Sequence, residues 1–592
     1  MIENTDYKLK RFFLIATLFF LIVPLFAKLF YLQIIDYQRY FNEADRNRIR
    51  LISIDAPRGL ILDRHQQLLA VNTNSYTVQI TPYSTADRKQ TLRRISKILD
   101  LDSNKVLKLA KSRFTYQPIP IARNVDYTKV AIIEEHSEEL AGIDIHRGHI
   151  RFYPYQSLAC HTIGYLGEVT EEEMDIFNER NYGLGDLIGK CGVEAFYDSL
   201  LRGKNGYKFI EVNALEREMG EIYPEKTQLP EPGYTLHLSL DIHLQKKAEE
   251  LLSQYNAGVV VIMNTKSGEI LTLANYPTYD LNWFSGGISD SNWQMIQNNT
   301  FHPMFNRSIS SRYPPGSVFK VVTAAAALEI LGYNAHTTLQ PCAGRYTYGN
   351  RSYGCWNLGG HGTLNMLEAL AHSCDIYFYQ LGLKLGLEGI HEYSLKMRLG
   401  QTTGIDIFGE SRGIIPDESY YFDKLKWKYF PKGILLNLSI GQGEILTTPL
   451  QIAMLMSLIA ERGHTYRPHL LHAYEDAISR QMIYTEKQQI SCDLKDETWD
   501  VLQKALYMVV NTGFGTGGRA AVQNITVAGK TGSAENSGEL THAWFAGYAP
   551  FDQPEIAFAC IVENAGHGGS IAAPIINQLL DEYFNNPFIA SP

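Results

Sequence analysis

The chain contains one long apolar run, and this run lies close to the N-terminus. Residues 12–32 form a stretch of 21 residues that only Lys28 interrupts with a charge. As a helix, such a stretch spans the roughly 30 Å hydrocarbon core of a bilayer. Three basic residues stand within the first eleven, so the positive-inside rule predicts a cytoplasmic tail at residues 1–11 and a transmembrane anchor at 12–32. A cleaved signal peptide is the alternative, but no clean pair of small residues marks a cleavage site after the run.

The anchor limits what the rest of the chain can do. The bulk of the protein is predicted to lie outside the cytoplasm, in an oxidising compartment without ATP, which argues against nucleotide-driven chemistry. The 592-residue chain has a net charge of −9, which disfavours nucleic-acid binding. Its mean hydropathy of −0.17 excludes a polytopic membrane protein. Seven cysteines are too few for a disulfide scaffold.

Two regions follow the anchor. Residues 36–235 contain glycine- and proline-rich motifs but no catalytic spacing, which indicates a non-catalytic, elongated α/β pedestal domain. Residues 236–592 contain a buried strand at Gly258–Met263 and a further strand-like segment at Trp544–Ala549, with helical stretches between them. We therefore predict an α+β multidomain protein whose last domain is an antiparallel sheet flanked by helices.

A candidate nucleophile and base stand at the start of an alanine-rich helix. Ser317 and Lys320 are three residues apart, directly after Pro314-Pro315-Gly316 and before a run of alanines. At that spacing both side chains lie on one face of a helix. A buried lysine can take the proton of a neighbouring serine, and the helix N-terminus offers N–H groups to an oxyanion. A serine cap followed by a surface lysine would give the same pattern.

Two further motifs make coincidence a poor explanation. Ser373-Cys374-Asp375 lies between the serine helix and the C-terminus, and Lys530-Thr531-Gly532-Ser533 lies on a predicted exposed strand near the end. The third motif, Lys530-Thr531-Gly532, offers a cation and a hydroxyl beside a glycine that permits close approach of a substrate backbone. The order S-x-x-K, S-x-D, K-T-G is that of penicillin-binding proteins and class A β-lactamases.

With these motifs, the chain resembles the class B penicillin-binding proteins, and among them the penicillin-binding protein 2 type of the elongation machinery. The resemblance covers almost the whole chain. Asp375 stands where most of the superfamily has Asn, a variation that the penicillin-binding protein 2 group itself shows. Further segments that carry the resemblance are Arg58-Gly59 to Asn72, Ile188-Gly189-Lys190 to Gly203, Trp356, Gly360-His361-Gly362, Gly441-Gln442-Gly443 and Thr448-Pro449.

The resemblance implies a peptidoglycan D,D-transpeptidase that cross-links stem peptides and is acylated by β-lactams. Ser317 would attack the penultimate D-alanine carbonyl, Lys320 would be the general base, and Ser373 would relay a proton to the leaving group. Lys530 would hold the substrate carboxylate, and the remaining substrate-binding residues would be Asp375, Thr531, Gly532 and Ser533. Which of the two lysines carries the proton at rest is left open.

Other functions on the same fold remain alternatives at this point. They are a D,D-carboxypeptidase, a β-lactam sensor or hydrolase, an assembly platform without activity, and a septal-type transpeptidase. The resemblance also implies a single-pass protein of the bacterial inner membrane whose catalytic domain faces the periplasm. Its partners would be a SEDS-family glycosyltransferase of the RodA type and an MreC-type scaffold.

Cysteine and histidine side chains cluster in the sequence around the second motif. Cys342, Cys355, His361 and Cys374 supply three thiols and one imidazole within 33 residues, which would complete a tetrahedral structural zinc site. The spacing lacks a C-x-x-C pair, and one disulfide plus a buried cysteine is the alternative. Some penicillin-binding protein 2 sequences resemble this pattern. The chemistry itself requires no cofactor.

Overall fold

The computed structural model describes residues 3–81, 88–109, 119–170, 172–173, 182–183, 185–212, 218–535 and 540–586. Its strands are β1 (Ile49–Ile54), β2 (Ile61–Leu62), β3 (Leu68–Ile80), β4 (Ile119–Ala122), β5 (Ile143–Phe152), β6 (Leu166–Glu168), β7 (Leu187–Gly189), β8 (Gly206–Val212), β9 (Glu218–Glu221), β10 (Thr235–Leu238), β11 (Gly258–Asn264), β12 (Ile270–Tyr276), β13 (Arg345–Tyr348), β14 (Arg351–Gly354), β15 (His464–Tyr466), β16 (Leu471–Glu475), β17 (Met482–Tyr484), β18 (Gln489–Ser491), β19 (Ala528–Ala534), β20 (His542–Ala549) and β21 (Ile556–Val562).

The α-helices alternate with these strands along the chain. They are α1 (Glu3–Phe30), α2 (Tyr37–Arg48), α3 (Arg88–Leu99), α4 (Ser103–Leu109), α5 (Tyr127–Glu135), α6 (Cys160–Ile163), α7 (Gly192–Phe196), α8 (Asp198–Leu201), α9 (Ile242–Leu252), α10 (Asp290–Gln297), α11 (Lys320–Ile330), α12 (Met366–Ala371), α13 (Asp375–Lys396), α14 (Ile434–Ser439), α15 (Pro449–Ala460), α16 (Asp496–Asn511) and α17 (Ala572–Asn585).

The N-terminal helix α1 stands away from the rest of the protein. It continues through a π-helical segment, Tyr31–Ile35, and the stretch Tyr7–Ile35 is long and apolar enough to cross a membrane. None of the apolar window within it is buried against the protein. Exposed apolar side chains along a whole helix are costly in water and suit a lipid environment. The helix therefore fits a single-pass anchor and begins before the predicted residue 12.

A five-stranded antiparallel sheet forms the centre of the C-terminal half, in the order β12-β11-β21-β20-β19. Alternate residues of β11 point to opposite faces, as a strand requires. Val259 and Val261 pack in the same core as α15, whereas Val260 and Ile262 pack in the core that contains α9 and α17. Burial on both faces explains why β11 is apolar up to Met263. The predicted antiparallel sheet flanked by helices is confirmed.

A second sheet joins the N-terminal and C-terminal halves. Its order is β17-β16-β10-β2-β3-β4, with β5 also paired to β3. The central strand β10 pairs in parallel with β2 and antiparallel with β16. The predicted boundary between residues 235 and 236 thus falls within a strand that both halves share. Sequence patterns do not reveal such sharing, because the pairing partners are about 175 and 235 residues away from β10.

A buried ionic network holds the pedestal region together. The Glu194 carboxylate accepts hydrogen bonds from Arg58 Nε at 2.7 Å and from Arg151 Nε at 2.6 Å. Arg58 also donates to Asp198 at 2.8 Å. Glu194 is fully buried, and the charges of both arginines lower its pKa against the opposing effect of its desolvation. The motifs at residues 58–72 and 188–203 therefore meet Arg151 of β5 in one charge network, in a structural role.

Candidate active site

The predicted nucleophile lies on a 3-10 turn that leads directly into helix α11. The turn spans Gly316–Phe319, and Lys320 is the first residue of the α-helix. The sequence predicted a helix start near Ser317. In the structure Ser317 lies in the 3-10 turn, and the α-helix begins three residues later. Gly316 has φ of +54° and its amide donates to Gly441 O at 2.9 Å, a conformation and a close approach that favour glycine. Ser317 is half-buried, at the border of the core.

Lys320 is fully buried and points to the second motif. Its Nζ donates to Ser373 O at 2.8 Å and lies 3.3 Å from Ser373 Oγ. It also forms an ion pair with Asp375 Oδ1 at 2.7 Å. Because a buried ammonium requires compensating partners, these contacts explain how the lysine is tolerated in the core. The structure thus brings the first and second motifs together.

The second motif lies at the junction of helices α12 and α13. Ser373 adopts φ of +56°, which is uncommon for a residue with a side chain and turns the chain sharply between the helices. Asp375 begins α13, and its second carboxylate oxygen accepts the backbone N–H of Trp356 at 2.9 Å. The Trp356 ring donates from Nε1 to His372 O at 3.0 Å. Asp375 is therefore fixed from two sides, by Lys320 and by the bend after β14 that carries Trp356.

The third motif occupies β19, an edge strand of the central sheet. It contacts Gly316 and Val318, which flank Ser317 in the chain. A Cβ on Gly316 would lie 2.9 Å from Ser533 O, and a Cβ on Gly532 would lie 3.1 Å from both Pro315 O and Val318 Cγ2. Gly532 is thus closely packed against the nucleophile turn, and on the neighbouring strand its Cβ would lie 2.9 Å from Trp544 Cβ. The Ser317 turn and the third motif are direct neighbours.

Lys530 is buried rather than exposed on its strand, which differs from the prediction. The strand is at the sheet edge, but Lys530 is inaccessible and its Nζ donates to Thr531 O at 3.0 Å. Burial lowers its pKa well below the usual value, and the positive charge of Lys320 lowers it further, whereas the charge of Asp375 opposes the shift. The two lysines and one carboxylate therefore share an interior charge cluster, in which burial favours the neutral form of Lys530.

The four predicted metal ligands converge in space. One ligand atom from each of Cys342, Cys355, His361 and Cys374 lies within 4.8 Å of every other. His361 Nδ1 is 3.6 Å from Cys342 Sγ and 3.5 Å from Cys355 Sγ. All seven cysteines are free thiols in the structure, so the alternative disulfide between Cys342 and Cys355 is not formed.

The geometry of this cluster fits a tetrahedral zinc ion. Zinc bonds of about 2.3 Å to sulfur and about 2.0 Å to nitrogen place neighbouring ligand atoms roughly 3.5–3.8 Å apart, which matches the His361 distances. The hydrogen bond between Cys374 and Cys355 lowers the pKa of Cys355 and raises the pKa of Cys374, so without a metal only one of these two thiols is favoured as a thiolate. Cys374 follows Ser373 directly, so a metal here would brace the second motif.

Three polar residues beside β19 were not identified from the sequence. Gln442 Nε2 donates to Ser533 O at 3.2 Å, Thr516 Oγ1 lies 2.7 Å from Thr531 Oγ1, and His567 Nδ1 lies 3.3 Å from Ser533 Oγ. All three come from loops distant in sequence, and only Gln442 belongs to a segment that the sequence analysis singled out. The glycines on both sides of His567 were the available signal for a close approach.

Comparison with known families agrees with this arrangement. The model of the penicillin binding protein transpeptidase domain matches residues 258–581, and that of the penicillin-binding protein dimerisation domain matches residues 53–238. A peptidoglycan D,D-transpeptidase MrdA of Acinetobacter baumannii is 31% identical over 99% of this chain and 89% of its own length.

Solved structures show the same fold along the chain. A complex of penicillin-binding protein 2 (PBP2) and MreC from Helicobacter pylori contains a chain that matches with a TM-score of 0.81 and 29% identity, over 91% of this chain and 100% of that one. A second structure concerns the coordination of polymerization and crosslinking by a peptidoglycan synthase complex. It matches with a TM-score of 0.70 and 26% identity, over 97% of this chain and 98% of that one. The chain therefore belongs to the penicillin-binding protein family, in its penicillin-binding protein 2 branch, as predicted.

Proposed function

We propose that this protein is a serine-type peptidoglycan D,D-transpeptidase of the elongation type, with Ser317 as its nucleophile. The observation that carries the proposal is the meeting of three motifs: Lys320 contacts Ser373 and Asp375, and Gly532 packs on the turn that holds Ser317. The named transpeptidase relative, similar over 99% of the chain, supports the substrate class.

The reaction consists of two acyl transfers. Ser317 Oγ bonds to the carbonyl carbon of the penultimate D-alanine while the bond to the terminal D-alanine breaks. The serine proton passes to a lysine, and Ser373 conveys a proton to the departing amine. An amine of a second stem peptide then displaces Ser317 and forms the cross-link. Backbone N–H groups of Ser317 and Ser533 stabilise the oxyanion in both steps.

The paired lysines suggest how binding prepares the base. In the free enzyme Lys320 forms an ion pair with Asp375, and burial favours the neutral form of Lys530. A substrate carboxylate beside Lys530 would favour the protonated, positively charged form of Lys530. Movement of one proton from Lys320 to Lys530 would leave Lys320 free to accept the proton of Ser317, so the general base forms only when substrate is bound.

The substrate-binding roles follow the geometry of β19. Lys530, Thr531 and Ser533 lie on the strand that faces the nucleophile turn, and Gly532 leaves room at the point of closest packing. Asp375, the remaining substrate-binding residue of the proposal, would act through its ion pair with Lys320.

We further propose that Cys342, Cys355, His361 and Cys374 hold a structural zinc ion. When bound, the ion would supply a rigid cross-link and no chemistry. His361 Nε2 is buried, and no hydrogen-bond partner for it is found among the described residues, whereas Nδ1 faces two sulfurs. This donor set therefore fits zinc through Nδ1.

We also propose the domain limits and surroundings. Residues 1–11 are a cytoplasmic tail, 12–32 an anchor in the bacterial inner membrane, 36–235 a pedestal and 236–592 the periplasmic transpeptidase domain. The structural relatives were solved with MreC or concern a peptidoglycan synthase complex, which supports an MreC-type scaffold and a SEDS-family glycosyltransferase of the RodA type as partners.

A gel of membranes labelled with fluorescent penicillin tests the function. We expect a covalent adduct with the wild-type protein that persists for many minutes, and no adduct with Ser317→Ala. The matched control is Ser291→Ala, an exposed serine on α10, which should label normally. Undiminished labelling of Ser317→Ala would refute the assignment, and rapid release of the penicillin would favour a β-lactam hydrolase.

A further inference from the structure

A glycine-rich loop covers the outer end of the third motif. The loop, residues 563–571, joins β21 to α17 and crosses the β20–β19 pair. A Cβ on Gly568 would lie 1.9 Å from Trp544 O and 2.5 Å from Gly532 O, so only glycine permits this approach. Gly569 packs on Thr516 O, where a Cβ would lie at 2.5 Å. The loop is therefore seated directly on the strand that carries the third motif.

His567 is the side chain that this loop presents at the third motif. Its carbonyl oxygen accepts hydrogen bonds from the backbone N–H of Ser570 at 3.1 Å, the N–H of Ile571 at 3.1 Å and Ser570 Oγ at 3.0 Å. The backbone is thus fixed, while the side chain is exposed. His567 Nδ1 lies 3.3 Å from Ser533 Oγ, and this is the contact that joins the loop to a substrate-binding hydroxyl.

The other donors of the motif are already engaged. Lys530 is buried and donates to Thr531 O, and the hydroxyl of Thr531 is paired with that of Thr516. Ser533 is therefore the hydroxyl nearest the exposed end of the strand, and the direction of its proton depends on its neighbour. If Nδ1 donates to Ser533 Oγ, the hydroxyl proton must point elsewhere and is free for an incoming acceptor.

We propose that His567 is a positioning residue that orients the Ser533 hydroxyl toward the carboxylate of the donor peptide. The proposal rests on the proposed function. The hydrogen-bond chain runs from His567 Nδ1–H to Ser533 Oγ, and from Ser533 Oγ–H to the carboxylate. Hydrogen bonds to a charged acceptor are stronger than those between neutral groups. The orientation of the Ser533 hydroxyl therefore affects the binding of substrates that carry this carboxylate and leaves the binding of those without it unchanged.

The test compares two acylating agents on the full-length protein in detergent. Benzylpenicillin carries the carboxylate, and benzylpenicillin methyl ester does not. For His567→Ala we expect the second-order acylation constant of Ser317 to fall about tenfold with the acid, as one charge-assisted hydrogen bond predicts, and to stay within twofold with the ester. His567→Asn, whose amide can donate to Ser533, should recover part of the loss. His136→Ala, an exposed histidine of the pedestal region, is the matched control and should change neither constant.

The comparison of acid and ester separates a positioning role of His567 from a general effect on the structure. An equal loss with acid and ester, or no loss with either, overturns the role of His567. A double variant of Ser533→Ala and His567→Ala should lose no more than Ser533→Ala alone, because the histidine acts through that hydroxyl. Fully additive losses overturn the proposal as well. Absence of any wild-type acylation would instead remove the proposed function, and the His567 proposal with it.

Discussion

Lys320 Nζ and Asp375 Oδ1 are 2.7 Å apart in the interior of the catalytic half, and this ion pair links the nucleophile helix to the second motif. Asp375 contacts Lys320 directly, and its charge also acts on Lys530. A buried lysine requires a compensating partner, and this one carboxylate contributes to the burial of both.

Replacement of Asp375 tests the ion pair. Asp375→Asn keeps acceptor and size, and we expect penicillin acylation within tenfold of wild type. Asp375→Ala leaves the Lys320 ammonium and the Trp356 N–H without this acceptor, and we expect a loss of about a hundredfold or more together with a lower unfolding temperature. Stopped-flow acylation and thermal unfolding measure the two effects. Equal activity of the two variants would contradict the assigned role.

Metal analysis tests the cysteine and histidine cluster. Protein purified without reductant or chelator should contain about one zinc per chain, and Cys355→Ala should lose it. Cys492→Ala removes a buried cysteine outside the cluster and should retain the metal. Zinc removal should also slow acylation, because Cys374 precedes Asp375 and follows Ser373. A metal-free wild-type protein with a Cys342–Cys355 disulfide would contradict the site.

Glu249 makes folding stability depend on pH. It accepts from Gln245 Nε2 at 2.8 Å and from the backbone N–H of Ala159 at 2.9 Å, at the contact between α9 and the pedestal region. Burial raises its pKa to about 8 from the usual 4.5. A raised pKa supports stability that is full below pH 4.5 and is lost as the pH rises through about 8.

The matching variant is Glu249→Gln, which cannot ionise. Its unfolding temperature relative to wild type should rise steadily between pH 5 and 8. The exposed neighbour variant Glu250→Gln should show no such trend. A constant difference between Glu249→Gln and wild type across this range would show that Glu249 is ionised in the folded protein at all these pH values.

Glu194 should be the most sensitive position of the pedestal. Glu194→Gln leaves Arg58 and Arg151 buried without their shared anion, and breaking a buried pair costs about 3–5 kcal/mol of folding free energy. Glu139→Gln removes one partner of an exposed pair with Arg94 and should cost under about 1 kcal/mol. Chemical denaturation measures both. A small loss in Glu194→Gln would mean that water compensates the arginines.

Sequence spacing predicted those parts of the site that local geometry controls. The interval from Ser317 to Lys320 is a helical turn, and three thiols with one imidazole make a recognisable ligand set. The role of His567 required coordinates, because it lies 34 residues beyond Ser533 and reaches it only across a strand pair. Burial of Lys530 was also missed, since its charged neighbours Lys320 and Asp375 come from other parts of the chain. For the same reason, the sharing of β10 between two halves could not be read from its pattern.

The position of β19 at the end of the central sheet has a consequence for what the enzyme can accept. An edge strand offers its outer N–H and C=O groups to any extended chain laid beside it, and such pairing depends on main-chain atoms. Stem peptides that differ in their third residue would then bind along β19 in the same hydrogen-bonding register. A peptide with proline at a paired position would lose a main-chain hydrogen bond to β19, even if its side chain fitted the cleft.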